Sequence, residues 1–402
     1  MPTYARRPRP VRRSQALIVA IPFMALWIAC GVHLFPEARS RDFLSFYTGA
    51  SLALDGNWHG MYTEAGQLAR EQTFVPERRN LVPFIRPPAY AILMAPLALL
   101  PFPLAFWVWM GVQTSVLLGC WAWAWRRFGL EAAAWAAVLI FGPLGVANGQ
   151  DCALYLAVLI GAFALGDRDK FFLSGLVLGL GMVKFHLFLL WPFVLLVQKR
   201  WRMFSGLMVC CLAQALLSVS LIGWSGLRPY LDFIRHFYTS PEKGIDIGAI
   251  LLNLGLSYQP VLVALTILVA GLVLWAARRT GPLWMMFALA IAGSLSIGPH
   301  VHYYDGTMIL LPAWCVIFLS GLPVSRLAAA TICTPLTTIA IILGPPLACF
   351  TALLLLAFVI ALCLESILKS SPTPVVAPDG GVEAGPASDN WASRPAAQCI
   401  RV

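Results

Sequence analysis

Long apolar runs separated by short basic clusters dominate this sequence, and they leave few folds open. Charged residues make up only 11% of the chain and hydrophobic residues 59%. A soluble domain carries about 25% charged residues, so this chain has too few polar groups to cover a water-facing surface. The pattern predicts an all-α polytopic membrane protein, since a spanning helix satisfies its backbone hydrogen bonds internally. It excludes a coiled coil, a collagen-like fibre and a disordered chain. The net charge of +10 comes from clusters at the ends of apolar runs rather than from a stripe, so no nucleic acid is expected as a partner.

Apolar runs bounded by polar or basic residues predict about twelve spans, at 15–35, 104–125, 131–147, 151–166, 171–183, 185–198, 203–222, 257–277, 282–297, 306–320, 326–343 and 347–366. The run 87–101 is short and punctuated by proline, which predicts an interfacial or re-entrant helix instead. If 87–101 does not cross, five short loops on one side hold ten Lys and Arg, and the short turns on the other side hold only Lys184. The positive-inside rule then places both termini in the cytoplasm. The chain divides into a basic N-terminus over 1–14, a transmembrane domain over 15–366 and a tail over 367–402. Residues 36–102 and 223–256 form two large outer loops. Arg6, Arg7, Arg9, Arg12 and Arg13 precede the first run without a small-residue cleavage site, the pattern of a signal anchor. The tail is rich in Pro, Ala, Gly and Ser and is expected to be disordered. The ten cysteines include no CxxC pair and read as apolar packing.

Several polar groups converge on the outer side. Asp42 follows the first span, Asp151 opens the fourth, Lys184 and His186 lie at a turn, and His300, His302 and Asp305 share another turn. An ionisable group at a membrane boundary needs a partner or a wet cavity, so it points to a site. Each also has a plainer reading. Asp42 can cap a helix or act as a general base. Lys184 can snorkel to the headgroups or contact a phosphate. His300 and His302 can simply meet water at the interface. With Asp305 they can also hold a metal, although three such residues in one turn are weak grounds for it. Asp151 reads best as a helix N-cap. The first loop interleaves Phe43, Phe46, Tyr47, Trp58, Tyr62 and Phe74 with Arg70, Arg78, Arg79 and Arg86. Aromatics favour the membrane interface and stack on sugar faces, which suits a substrate with an isoprenoid tail and a polar head.

Five stretches, in order from about residue 15 to 320, resemble glycosyltransferase family 87. They are RDFLSFYTGASLALDGNWHGMY, PPAYAILMAPLALLP, NGQD, the lysine in GLGMVKFHLFLLWPF, and GPHVHYYDGTMILLP. The resemblance implies a GT-C glycosyltransferase fold, with interfacial helices in the first periplasmic loop and a catalytic carboxylate there. The carboxylate maps onto Asp42, and the donor-phosphate contacts map onto Lys184 and onto His300 or His302. Phe46, Tyr47, Arg86, Tyr304 and Asp305 are the candidate substrate contacts. The implied donor is a polyprenyl-phosphate sugar, often mannose, and the acceptor is a lipid or a glycan. The expected setting is a bacterial inner membrane, with membrane lipids around the bundle and the active site facing the periplasm.

A single strong carboxylate favours one inverting displacement, since a retaining reaction needs two. No cofactor and no metal are expected beyond the lipid-linked donor, and no Gly-rich phosphate loop occurs. A transporter or lipid flippase would place ionisable groups near the midplane, where the predicted spans carry almost none. An O-antigen ligase or polymerase would share polyprenyl-linked substrates and large outer loops. A non-catalytic membrane scaffold fits the polar first loop least.

Overall fold

The computed structural model describes residues 42–132, 134, 141–237, 244–256, 259–344, 347 and 349–370. The basic N-terminus, the span expected at 15–35 and the tail from 371 lie outside these residues. Most of the described residues are helical, and among them a lone antiparallel bridge joins Gly244 to His302.

The first loop is polar in sequence but folds into helices. Helix α1 (Asp42–Leu54) buries every residue from Phe43 to Ala53. A 3-10 turn (Gly60–Tyr62) leads to α2 (Glu64–Phe74). Thr63 caps α2, its hydroxyl accepting from the Gly66 N–H at 3.2 Å. Residues 81–87 carry no helix, and α3 (Pro88–Ala98) follows. Proline fits the first turn of a helix because its missing N–H is not needed there. At 11 residues α3 is too short to cross a bilayer. The rings of Phe43, Tyr47, Phe74 and Phe102 pack against one another and draw the loop onto the bundle.

The bundle begins with α4 (Phe102–Phe128), α5 (Phe141–Ala147), α6 (Cys152–Gly166) and α7 (Phe171–Leu180). A 3-10 stretch (Gly181–Phe188), α8 (Trp191–Val197), α9 (Trp201–Phe237), α10 (Ile247–Asn253), α11 (Gln259–Arg279) and α12 (Leu283–Ile297) come next. Another 3-10 stretch (Tyr303–Ile309), α13 (Leu310–Leu319), α14 (Pro323–Ile332), α15 (Pro335–Leu343) and α16 (Cys349–Ser370) complete it.

Among the described residues five stretches are long and apolar enough to cross a membrane: Phe102–Phe128, Phe171–Phe188, Trp201–Phe237, Gln259–Arg279 and Cys349–Leu368. The other apolar helices, such as Cys152–Gly166 and Leu283–Ile297, are shorter. The expectation of twelve spans therefore exceeds the spanning helices described. Apolar content marked the runs but not their breaks. The run expected at 326–343 divides into α14 and α15, and the pair expected at 171–183 and 185–198 meets in a 3-10 stretch. Conversely, α9 continues to Phe237 after bending at Gly223, so half of the expected loop 223–256 is helix. That extension is amphipathic. Tyr230 and Phe233 pack on Tyr62, while Arg228, Asp232 and Arg235 are exposed.

The core centres on α12, which buries every residue from Trp284 to Ile297. By contrast α11 exposes Val263, Ile267 and Leu268, an apolar surface suited to lipid. The basic clusters meet at one end of the bundle. There Arg127 pairs with Asp167 at 3.1 Å and Arg200 reaches the Gly281 carbonyl oxygen at 3.4 Å. Asp151 and Ile297 mark the opposite ends of α6 and α12, and the polar site forms there.

Candidate functional site

Five pieces of chain enclose a cavity of about 150 Å³. The first turn of α1 contributes Asp42, Ser45 and Phe46. The irregular segment before α3 contributes Val82, Pro83, Ile85 and Arg86. Gln150, Lys184 and the turn with His300, His302 and Tyr304 close it.

The start of α1 lies against the turn 148–151 because residue 149 is glycine. Its φ is +74°, and a Cβ there would stand 2.8 Å from the Phe43 Cβ. The Trp109 indole N–H holds the Gly149 carbonyl oxygen at 2.8 Å. Gln150 is thereby set to hydrogen-bond Asp42 and, through Nε2, the Tyr304 hydroxyl at 3.1 Å. Burial raises the Asp42 pKa above the ordinary carboxylate value, against the pull of Gln150, Lys184 and Arg86. A carboxylate so raised is a better proton acceptor than a free one.

Two other carboxylates sit behind the cavity wall, each joined to a cation. Asp151 takes Arg86 Nη2 at 3.0 and 3.2 Å, the Tyr90 hydroxyl at 2.8 Å and the Tyr155 hydroxyl at 2.6 Å. Burial alone would raise its pKa, but Arg86, Lys184 and the two tyrosines hold it below the usual range. The expectation that Asp151 caps α6 gives way to this ion pair: it occupies the cap position but makes no capping hydrogen bond. Arg86 also stands over the Phe46 ring, 5.6 Å from its centre. The second pair joins Lys184 Nζ to Asp305. The backbone leaves helical geometry at Lys184, with φ −118° and ψ 59°. Its side chain is buried, so it does not snorkel.

The histidine turn is the strained wall. His300 has φ +63°, a left-handed conformation that costs a non-glycine residue about 1 kcal/mol or more. Its ring lies 4.7 Å from that of His302, which stacks on Tyr304 at 4.9 Å. Asp305 fastens the turn, accepting from the His302 backbone N–H at 3.1 Å. Burial pushes His302 well below the usual imidazole range, with His300 and Lys184 adding to the effect. Its ring is therefore neutral near pH 7. Among the described residues no three His, Cys, Asp or Glu side chains group as a metal site.

Of the nine residues given a catalytic, phosphate-binding or substrate-binding role from sequence, Asp42, Phe46, Arg86, Lys184, His300, His302 and Tyr304 line this cavity. Two do not. Tyr47 turns away into the aromatic cluster, and its hydroxyl donates to the Leu100 carbonyl oxygen at 2.7 Å. Two residues after Ser45 on a helix is the opposite side, so both faces of α1 could not reach the cavity. Asp305 is buried outside the cavity lining and meets the cavity through Lys184 and the His302 backbone. Gln150, Ser45 and the Val82–Ile85 wall were not foreseen. Gln150 had a signal, as a polar residue between Gly149 and Asp151 at the head of an apolar run.

Residues 84–299, more than half of the chain, match glycosyltransferase family 87. The chain belongs to glycosyltransferase family 87. With its apolar helices, this membership makes it a membrane glycosyltransferase. No curated protein and no solved structure matches it. The part of this family 87 protein that matches holds Arg86, Gln150, Asp151 and Lys184. Asp42 lies before it, and His300 begins the stretch beyond it.

Proposed function

We propose that the protein moves a hexose, mannose in the first instance, from a polyprenyl-phosphate sugar to a hydroxyl of a glycolipid or glycan, with inversion. Asp42 is the general base. It takes the proton of the acceptor hydroxyl as that oxygen bonds to the anomeric carbon. The bond from that carbon to the phosphate oxygen breaks, and its electron pair leaves on polyprenyl phosphate. Arg86 and Lys184 stabilise the departing charge, with His300 and His302 as neighbours. The leaving phosphate is acidic enough to need no proton, and the step uses no metal.

The observation that carries this reading is the inequality of three carboxylates at one cavity. Asp151 and Asp305 are each committed to a cation, whereas Asp42 lines the cavity with its basicity raised. One such carboxylate serves a single displacement, and a retaining reaction would need two about 5 Å apart. The cavity also lies at the bundle end away from the basic clusters, which supports an active site on the outer face of a bacterial inner membrane, with cytoplasmic termini.

The test is transfer of labelled mannose from polyprenyl-phosphate mannose in EDTA-washed membranes holding the chain. Asp42→Asn is expected to lower transfer by about 10²–10⁴-fold, the usual contribution of a general base, with expression unchanged. Wild-type transfer should rise with pH through an acid limb above the ordinary carboxylate range, because Asp42 must be ionised to accept the proton. Equal transfer by both proteins would remove Asp42 from the mechanism.

A further inference from the structure

The cavity wall at Val82–Arg86 has no helix or strand. Such a segment leaves its backbone groups to be satisfied by side chains. Glu71 accepts from the Val82 N–H, at 3.2 Å to Oε1 and 3.3 Å to Oε2. Gln67 accepts from the Phe84 N–H at 2.7 Å and donates from Nε2 to the Phe84 carbonyl oxygen at 3.2 Å. The Tyr62 hydroxyl donates to the Arg86 carbonyl oxygen at 2.9 Å.

The spacing explains why one helix can do this. Gln67 and Glu71 are four residues apart on α2, a rise of about 6 Å. Val82 and Phe84 are two residues apart, which chain at the rise of a strand would cover in about 6.6 Å. One face of α2 therefore fastens alternate residues of the wall, running antiparallel to it. Pro83 and Ile85, the residues between, line the cavity.

We propose that Glu71 is a positioning residue for the transferase: by fastening Val82 it holds the cavity wall and sets where Arg86 meets the donor phosphate. The proposal rests on the donor reading given above. A glutamine would hold the same amide without burying a charge, yet the Glu71 side chain is fully buried, with Arg78 Nε at 3.7 Å. Burial raises its pKa to about 7, against the pull of the Val82 N–H and of Arg78. Arg78 is the charged group that acts on it, while Arg70 on the same helix pairs with Asp55, in the turn just after α1. Because burial raises this pKa, the fastened wall binds the Glu71 proton more tightly than a released wall would, so the fastening is strongest below about 7 and weakens as pH rises through it.

The full chain in detergent provides the test. Amide hydrogen exchange over 82–86 reads the fastening, and the Kd of farnesyl phosphate reads the placement of Arg86. At pH 6 Glu71→Ala should speed exchange and weaken binding, each about tenfold, the size of one lost hydrogen bond that strands a buried amide. Glu71→Gln, which resembles the protonated side chain, should match wild type near pH 6 and bind more tightly than it at pH 8. Comparing the two proteins at each pH cancels the titration of the phosphate itself. Unchanged exchange in Glu71→Ala would overturn the fastening, and faster exchange with unchanged Kd would overturn the positioning role. If Glu71→Ala does not fold, a ratio of wild-type to Glu71→Gln affinity that is the same at both pH values overturns the proposal. A wild-type chain that binds no farnesyl phosphate would remove the donor reading, and exchange would still decide whether Glu71 fastens the wall.

Discussion

The central helix α12 and the loop wall around the cavity are both buried, but different forces hold them. From Trp284 to Ile297 the helix offers apolar and small side chains in every direction, and its neighbours close on it from all sides. Helix packing in lipid depends on close van der Waals contact, for which Ala288, Ala290, Ala292 and Gly293 leave room. The wall is held by named hydrogen bonds and ion pairs from Glu71, Gln67, Tyr62 and Asp151 to particular atoms. Dispersion fills space without preferring one register, whereas a hydrogen bond specifies an atom at about 3 Å. The site lies where the directional bonds are. The links that join its two halves include the Arg86–Asp151 pair and the contact between Gly149 and Phe43.

The contrast can be broken from either side. The largest effect is expected from Asp151→Asn, which leaves the Arg86 charge buried without its counter-ion. Breaking a buried pair costs about 3–5 kcal/mol, so loop docking should fail before the bundle melts. Limited proteolysis within 42–98 under conditions that leave α12 protected would show it. On the bundle side, a Cβ at Gly175 of α7 would stand 1.9 Å from the Met203 carbonyl oxygen of α9. Gly175→Ala must therefore push two helices apart, at about 3 kcal/mol by the usual scale of overpacking. Thermal unfolding should move as a whole, with no separate loosening of the loop. The smallest effect is expected from Gln67→Ala, which strands the Phe84 amide and carbonyl, about 1–3 kcal/mol. Its signature is faster exchange at residues 82–86 with little change in the melting of the bundle. If Gln67→Ala instead lowered the melting temperature as much as Gly175→Ala, the two regions would not be separately held.

Much of the fold class could be read from residue order. Apolar runs marked the helices, and Pro87 and Pro88 with the short run after them marked α3 as too short to cross. What misled was reading polar segments as loops. The stretch 224–237 is helical because its apolar residues recur on one face and pack on Tyr62, a periodicity that a search for continuous apolar runs passes over. Asp42, Lys184 and the histidine pair stood out because ionisable residues beside apolar runs are rare. Gln150, Ser45 and the Val82–Ile85 wall did not, since uncharged and apolar residues are unremarkable where they occur. Tyr47 shows the converse: its type suited the site, but its place on α1 turned it to the aromatic cluster.

Composition and run length by themselves determined that this chain forms apolar helices suited to a membrane, with ionisable residues confined to a few boundaries. They could do so because burial in lipid depends on local hydropathy, which each segment carries alone. Only the tertiary structure decided how the three carboxylates differ. Asp42, Asp151 and Asp305 look alike as residues beside apolar runs. Which of them faces a cavity and which is tied to a cation depends on contacts between segments 65 and 121 positions apart. A hydrogen-bonded ion pair needs its charges within about 4 Å, so it is set by the three-dimensional approach of those segments and by nothing nearer in the sequence.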